Sequence, residues 1–245
     1  MYYAYVRLKE GGLKMRIRDI YLRKGSFIVS AVIVLLCVAV TTISQLVPSI
    51  YKVFAFTYPV KYPWQLITYQ FQHGMTTELL PADFPYSAAQ LTIGHLIFNL
   101  LLAIPFGILV EKVIGSRRFL VMAVAAWVVD IILIFTAAYF TTPAGEETVS
   151  CGASGLVFSF MPIGMYILFV LGKKYGFKKL LKQVSFYLLL PIAIATLVFA
   201  LNPNAGGVAG IWSMIVHLLG LGCGVLFTVI YRKKIWENTS KTDME

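Results

Sequence analysis

FIVSAVIVLLCVAVTTISQLV, residues Phe27–Val47, runs for twenty-one residues without a charge. About 20 apolar residues are what an α-helix needs to cross the hydrocarbon of a bilayer. Five further stretches read the same way: Leu91–Val110, Phe119–Phe140, Ala153–Leu171, Val184–Leu201 and Val208–Tyr231. Strands of a membrane barrel would alternate apolar and polar residues over about 10 positions. These runs are continuous and about twice that long, so they are helices. Composition agrees: of 245 residues, 59% are hydrophobic and 13% charged, and the mean hydropathy is +0.79. A soluble domain is about half apolar and about a quarter charged. A soluble domain, a disordered chain, a coiled coil and a disulfide scaffold are all excluded. Cys37, Cys151 and Cys223 lie in or beside apolar runs with no CxxC pair and read as packing residues. The expected fold is all-α, a polytopic membrane protein of six transmembrane helices.

Charge orients the six spans. The tail before the first holds Arg7, Lys9, Lys14, Arg16, Arg18, Arg23 and Lys24. The connection after the second holds Lys112, Arg117 and Arg118, and that after the fourth Lys173, Lys174, Lys178, Lys179 and Lys182. Arg232, Lys233, Lys234 and Lys241 follow the sixth, and only Lys52 and Lys61 fall on the other side. By the positive-inside rule both termini are expected in the cytoplasm. The net charge of +10 is then a surface facing anionic lipid, with no nucleic acid implied. No small-x-small pattern follows the first run, which reads as an anchor and not a removed signal. The expected organisation is a basic tail over residues 1–26, a membrane domain over 27–231 and a basic tail over 232–245, with a long aromatic outer connection over 48–90. A connection of that length implies a role, and its aromatics and prolines suit a structure lying partly in the membrane interface.

Polar residues inside a bilayer are functional candidates by default. His95 and Asn99 lie in the second span, Asp130 in the third, Ser154 and Ser159 in the fourth, and Ser213 and His217 in the sixth. The second, fourth and sixth spans run in the same direction. His95, Asn99, Ser154 and His217 therefore share one depth, within roughly 15 Å of the outer surface. His95 and Asn99, four apart, share a helical face. Ser154 opens a helix within Gly152-Ala153-Ser154-Gly155. There the free N–H groups favour a developing anion. Gly220 and Gly224 form a small-xxx-small face one turn below His217. If that face meets the fourth span, the His217 imidazole can reach the Ser154 hydroxyl.

At these residues the chain resembles the rhomboid family of intramembrane serine proteases. Gly94-His95 through Asn99 is similar to the family's H-x-x-x-N helix, and Gly107–Ser116 to its G-x3-E-x3-G-S connection. Gly152–Gly155 resembles G-x-S-G, His217–Gly224 resembles H-x-x-G-x3-G, and Trp64-Gln65 with Thr68 and His73 resembles the Trp-Arg loop. The likeness spans about Trp64 to Tyr231. Three features depart from it: Gln65 stands where the family has arginine, the stretch Gly74–Gly94 is longer, and Phe158 replaces a frequent tyrosine. Phe158 can still stack on the histidine but cannot hydrogen-bond.

The resemblance implies a six-span rhomboid-like bundle and a serine endopeptidase that cuts transmembrane protein substrates in or near their membrane helices. Ser154 is then the nucleophile and His217 the general base, with His95 and Asn99 as oxyanion donors. Gly152, Gly155, Phe158, Gly220 and Gly224 are structural residues near the site. Neither metal nor cofactor is expected: no H-E-x-x-H pair follows any histidine. Asp130 has no second aspartate for an aspartyl protease and reads as a bundle-facing residue, protonated or paired. The alternative is an inactive rhomboid-like protein that binds membrane clients. The compact layout points to a bacterial inner membrane.

Overall fold

The computed structural model of the chain describes residues 17–22, 25–75, 77, 86–202 and 210–239. Most of the first basic tail, the middle of the Gly74–Gly94 stretch and most of the glycine-rich segment before the sixth span lie outside these residues.

Helix α1 (Ile17–Leu22) precedes α2 (Ile28–Leu46), the first span. The long connection folds as a 3-10 turn (Pro48–Ile50), α3 (Tyr51–Phe54), β1 (Phe56–Tyr58) and α4 (Gln65–Thr68). The second span is α5 (Ala88–Leu102) and α6 (Ile108–Ile114), joined by a π turn at Ala103–Gly107. Then come α7 (Ser116–Thr141), β2 (Thr148–Ser150), α8 (Ser154–Phe158), α9 (Phe160–Tyr175), α10 (Phe177–Leu180), α11 (Val184–Leu201) and α12 (Gly210–Asn238).

Among the described residues, five helices are long and apolar enough to cross a membrane: Ile28–Leu46, Ala88–Ile114, Ser116–Thr141, Ser154–Tyr175 and Ile211–Asn238. The expected fifth span is a shorter apolar helix, Val184–Val198 by that measure. The protein is an all-α, polytopic integral membrane protein. Its fourth span is the central rod: 78% of its most apolar window is buried, against 39% for the next most buried span. The other spans surround it and turn Leu, Ile, Val and Phe outward. In water that exposure would be unstable; in lipid it is the expected face.

Two local devices shape the second span. Pro105 lacks an N–H and its ring would strike the preceding turn, and the π turn around it absorbs the misfit. The Pro105 carbonyl accepts from the Tyr21 hydroxyl at 2.8 Å, tying α1 to the bundle. At the basic end Glu111, fully buried, accepts from the N–H groups of Val29 (3.1 Å) and Ser30 (2.8 Å). It also accepts from the hydroxyls of Ser30 (2.7 Å) and Ser116 (2.6 Å). The side chain of one span thus caps the helix start of another, where free N–H groups and the positive dipole end favour a carboxylate.

The sequence reading differs from the structure in two places. The sixth span does not stop at Tyr231 but runs to Asn238. Ile235 is fully buried, and Lys174 reaches the Trp236 carbonyl with its ammonium 4.4 Å from the ring centre. The second difference is a small antiparallel ribbon, β1 with β2, pairing Phe56 with Ser150 and Tyr58 with Thr148. It joins the long connection to the segment just before Ser154.

Candidate functional site

The fourth span opens at Ser154, and the sixth crosses directly over its first turns. A Cβ added at Gly220 would lie 2.3 Å from the Gly155 carbonyl oxygen, and one at Gly224 2.3 Å from that of Ser159. Any side chain at either glycine would hold the two helices apart. This contact brings His217, one turn before Gly220, over the start of α8. Phe158, one turn after Ser154 and on the same face, stacks on the His217 ring with centroids 4.4 Å apart and planes 11° apart. His217 is buried, while Ser154 keeps partial exposure.

The second span arrives from the other side. Gly152 has φ +122°, a backbone that suits glycine, and a Cβ there would lie 2.6 Å from Cε1 and 2.9 Å from Nε2 of His95. The His95 ring therefore lies against the backbone two residues before Ser154. Asn99 is buried and its Nδ2 donates to the His95 carbonyl at 2.9 Å. Its Oδ1 has no hydrogen-bond partner among the described residues.

The third contributor, His73, entered the sequence reading only as part of the loop resemblance. The Ala153 N–H donates to His73 Nε2 at 3.4 Å. On the ring's far side Nδ1 lies 3.3 Å from Thr41 Oγ1, and the Thr41 hydroxyl donates to the Phe71 carbonyl. This chain of bonds puts the ring proton on Nδ1 and leaves Nε2 as acceptor. The His73 and His95 rings meet edge to face at 5.0 Å. All three histidines of the chain thus gather around Gly152–Ser154. Burial, reinforced by His95, pushes the His73 imidazole down to about 3, so it is neutral at physiological pH.

The long connection is a folded unit that carries His73 to this place. Gln65, where the family pattern has arginine, is fully buried. Its Oε1 accepts from Thr57 Oγ1, Lys61 N and Tyr62 N at 3.0–3.1 Å, and its Nε2 donates to the Lys52 carbonyl at 2.7 Å. The Trp127 and Trp64 indoles donate to the Leu66 and Val53 carbonyls. Lys52 and Lys61, the two cations outside the basic end, both pair with Glu147 beside β2, at 3.1 and 2.9 Å. Burial opposes the Glu147 charge, but the two lysines outweigh it and hold that carboxyl below its ordinary value.

Asp130 stands behind the serine turn. Its Oδ2 accepts from the Tyr69 hydroxyl at 2.9 Å and from Gln70 Nε2 at 3.1 Å. A Cβ at Gly155 would lie 2.6 Å from its Oδ1. The residue is thus bundle-facing and paired. Its partners, Tyr69 and Gln70, are in a loop 60 residues away, and no local pattern links them to it.

The family model for the Rhomboid domain matches residues 87–234. No curated protein matches the chain.

Proposed function

The chain belongs to the rhomboid family, and we propose that it is an intramembrane serine endopeptidase working through Ser154 and His217. The observation that carries this reading is the stack of Phe158 on His217, 4.4 Å between centroids. It holds an imidazole over the helix start that bears the only half-exposed serine of the fourth span.

The Ser154 hydroxyl attacks the scissile carbonyl while His217 takes its proton. His217 then gives that proton to the leaving amine, and a water hydrolyses the acyl-enzyme by the same route. The Phe158 stack and the close Gly155–Gly220 approach orient His217 by fixing its ring plane. The oxyanion forms at the start of α8, where the first N–H groups have no intrahelical partner. His95 and the second N–H of the Asn99 amide are the side-chain donors. One such donor contributes about 2.7–4 kcal/mol to the transition state.

In the sequence, nineteen of the 21 Lys and Arg residues fall in the tails and connections on the side of the spans away from Ser154. That side faces the cytoplasm, and the site opens toward the opposite surface. Polar groups at this depth require water or partners, so the site is a wet pocket in the outer half of the membrane. Substrates are membrane-spanning segments, cut near their outer ends, where weak helix formers expose the peptide bond. They reach Ser154 sideways, between the second span and α11. The test is to incubate the purified full chain in liposomes with a panel of single-span proteins and sequence the products. Cleavage near one membrane face, absent in Ser154→Ala, supports the reading. An intact fold that cleaves none and takes no fluorophosphonate label is an inactive relative that binds membrane clients.

A further inference from the structure

Ser154 is flanked by three contacts, and all converge on one loop segment and one acid. Before it, the Gly152 N–H donates to the Tyr69 carbonyl at 2.9 Å, and the Ala153 N–H donates to His73. After it, Gly155 has no room for a Cβ because the Asp130 carboxyl lies there, 2.6 Å from where that atom would stand. The same carboxyl holds the Tyr69 hydroxyl and the Gln70 amide, and Gln70 Nε2 also donates to the Tyr69 hydroxyl at 3.0 Å. Tyr69 therefore grips the serine turn with its backbone and Asp130 with its side chain. The loop, the third span and the two sides of Ser154 form one closed ring of contacts.

We infer that Asp130 is a positioning residue for the nucleophile turn: it packs against Gly155 after Ser154 and, with Gln70, locks Tyr69, whose carbonyl holds Gly152 before it. The chemistry fits. Tyr69 is fully buried, and burial together with Asp130 pushes its hydroxyl above the ordinary value, so it stays a donor. An acceptor must face it, and Asp130 Oδ2 is that acceptor. Without it the Tyr69 hydroxyl and the Gln70 amide lose their shared partner in a dry site. Tyr69 is then free to swing, and the Gly152 N–H it holds moves with it. A shift of about 1 Å at a reacting group lowers rate on the order of 10²-fold with little effect on binding. Asp130 touches neither substrate nor Ser154 Oγ and acts only through this ring.

The inference rests on Ser154 being the nucleophile, and the test separates the two. The full chain in detergent is treated with a fluorophosphonate, and both the rate and the final extent of Ser154 labelling are measured. Substrate kcat and KM are determined alongside. Asp130→Leu removes both acceptors at similar bulk. We expect labelling and kcat to fall at least tenfold, with KM within twofold and the final extent of labelling unchanged. Asp130→Asn keeps an acceptor oxygen and stays within threefold of the parent. Tyr69→Phe cuts the ring at its other end and slows labelling, and the double variant Tyr69→Phe/Asp130→Leu is no slower than Asp130→Leu alone. Asp130→Leu labelling at the parent rate overturns the inference. So does a loss of final extent without loss of rate, which marks a folding role only, or an Asp130→Asn as slow as Asp130→Leu. A parent chain that takes no label sinks the proposed function instead.

Discussion

Glu111 and Asp130 are both buried acids on membrane-spanning helices, one at the basic end of the bundle and one beside the Ser154 turn. Glu111 receives four hydrogen bonds shared over both oxygens. Asp130 receives two, both on Oδ2, and its Oδ1 has none among the described residues. Asn99 Oδ1, on the other side of Ser154, is in the same condition. The contrast is between a closed clamp and an open one. Where polar groups only hold helices together, every lone pair is used. Beside Ser154, Asn99 Oδ1 and Asp130 Oδ1 have no partner among the described residues, and such a buried atom calls for an explanation, a catalytic role among them. Under the proposed function, the basic end holds the helices together and the serine end carries the chemistry.

The strongest way to break that division is Ser154→Ala. It should cost on the order of 10⁴-fold or more in cleavage and leave thermal unfolding in detergent unchanged; a large fall in unfolding temperature would show the serine end to be structural as well. Glu111→Ala should do the reverse. It strands the N–H groups of Val29 and Ser30 and the hydroxyl of Ser116 in a dry site, at about 1–3 kcal/mol for each such group. We expect about 3 kcal/mol less stability in a denaturant titration, with kcat per labelled site intact. Asn99→Ala sharpens the comparison from the serine end. It should slow cleavage about 10²-fold while costing little stability, because the one bond lost, Asn99 Nδ2 to the His95 carbonyl, leaves that carbonyl its backbone partner within the same helix.

Smaller effects probe how the ring planes are held. Phe158→Leu removes the stack on His217 and should lower kcat about 2- to 10-fold, while Phe158→Tyr should be close to neutral. The smallest effect is the acid limb of stability. The folded His73 pKa is about 3, against an ordinary value of 6.5. Between those values the unfolded state binds the extra proton. The His73 contribution is complete above pH 6.5 and is lost as pH falls toward about 3. Unfolding temperature should fall through that window, and less steeply in His73→Gln.

What could be read from the sequence was what repeats or stands out locally. Continuous apolar runs announced the spans, and the depths of His95, Asn99, Ser154 and His217 along them placed those residues at one level. Gly220 and Gly224 announced a close helix contact, which the carbonyls of Gly155 and Ser159 complete. Hidden were contacts between residues distant in sequence and without periodicity. Three-residue strands such as β1 and β2 are too short to alternate visibly. Gln65 looked like a missing charge, yet it is the hub of the loop's backbone hydrogen bonds. Asp130 stood out as an acid in an apolar run, but its partners lie 60 residues back. The sixth span outran its apolar stretch because Ile235 and the Trp236–Lys174 contact pack a segment whose composition reads as tail.

Catalysis at this site requires the His217 imidazole to activate the Ser154 hydroxyl. Fluorophosphonate treatment of the full chain in liposomes, followed by peptide mass spectrometry, tests this most directly. We expect a single adduct on Ser154 that disappears in His217→Ala while the thermal transition persists. A folded parent chain with no adduct on Ser154, or His217→Ala labelled as fast as the parent, would contradict it.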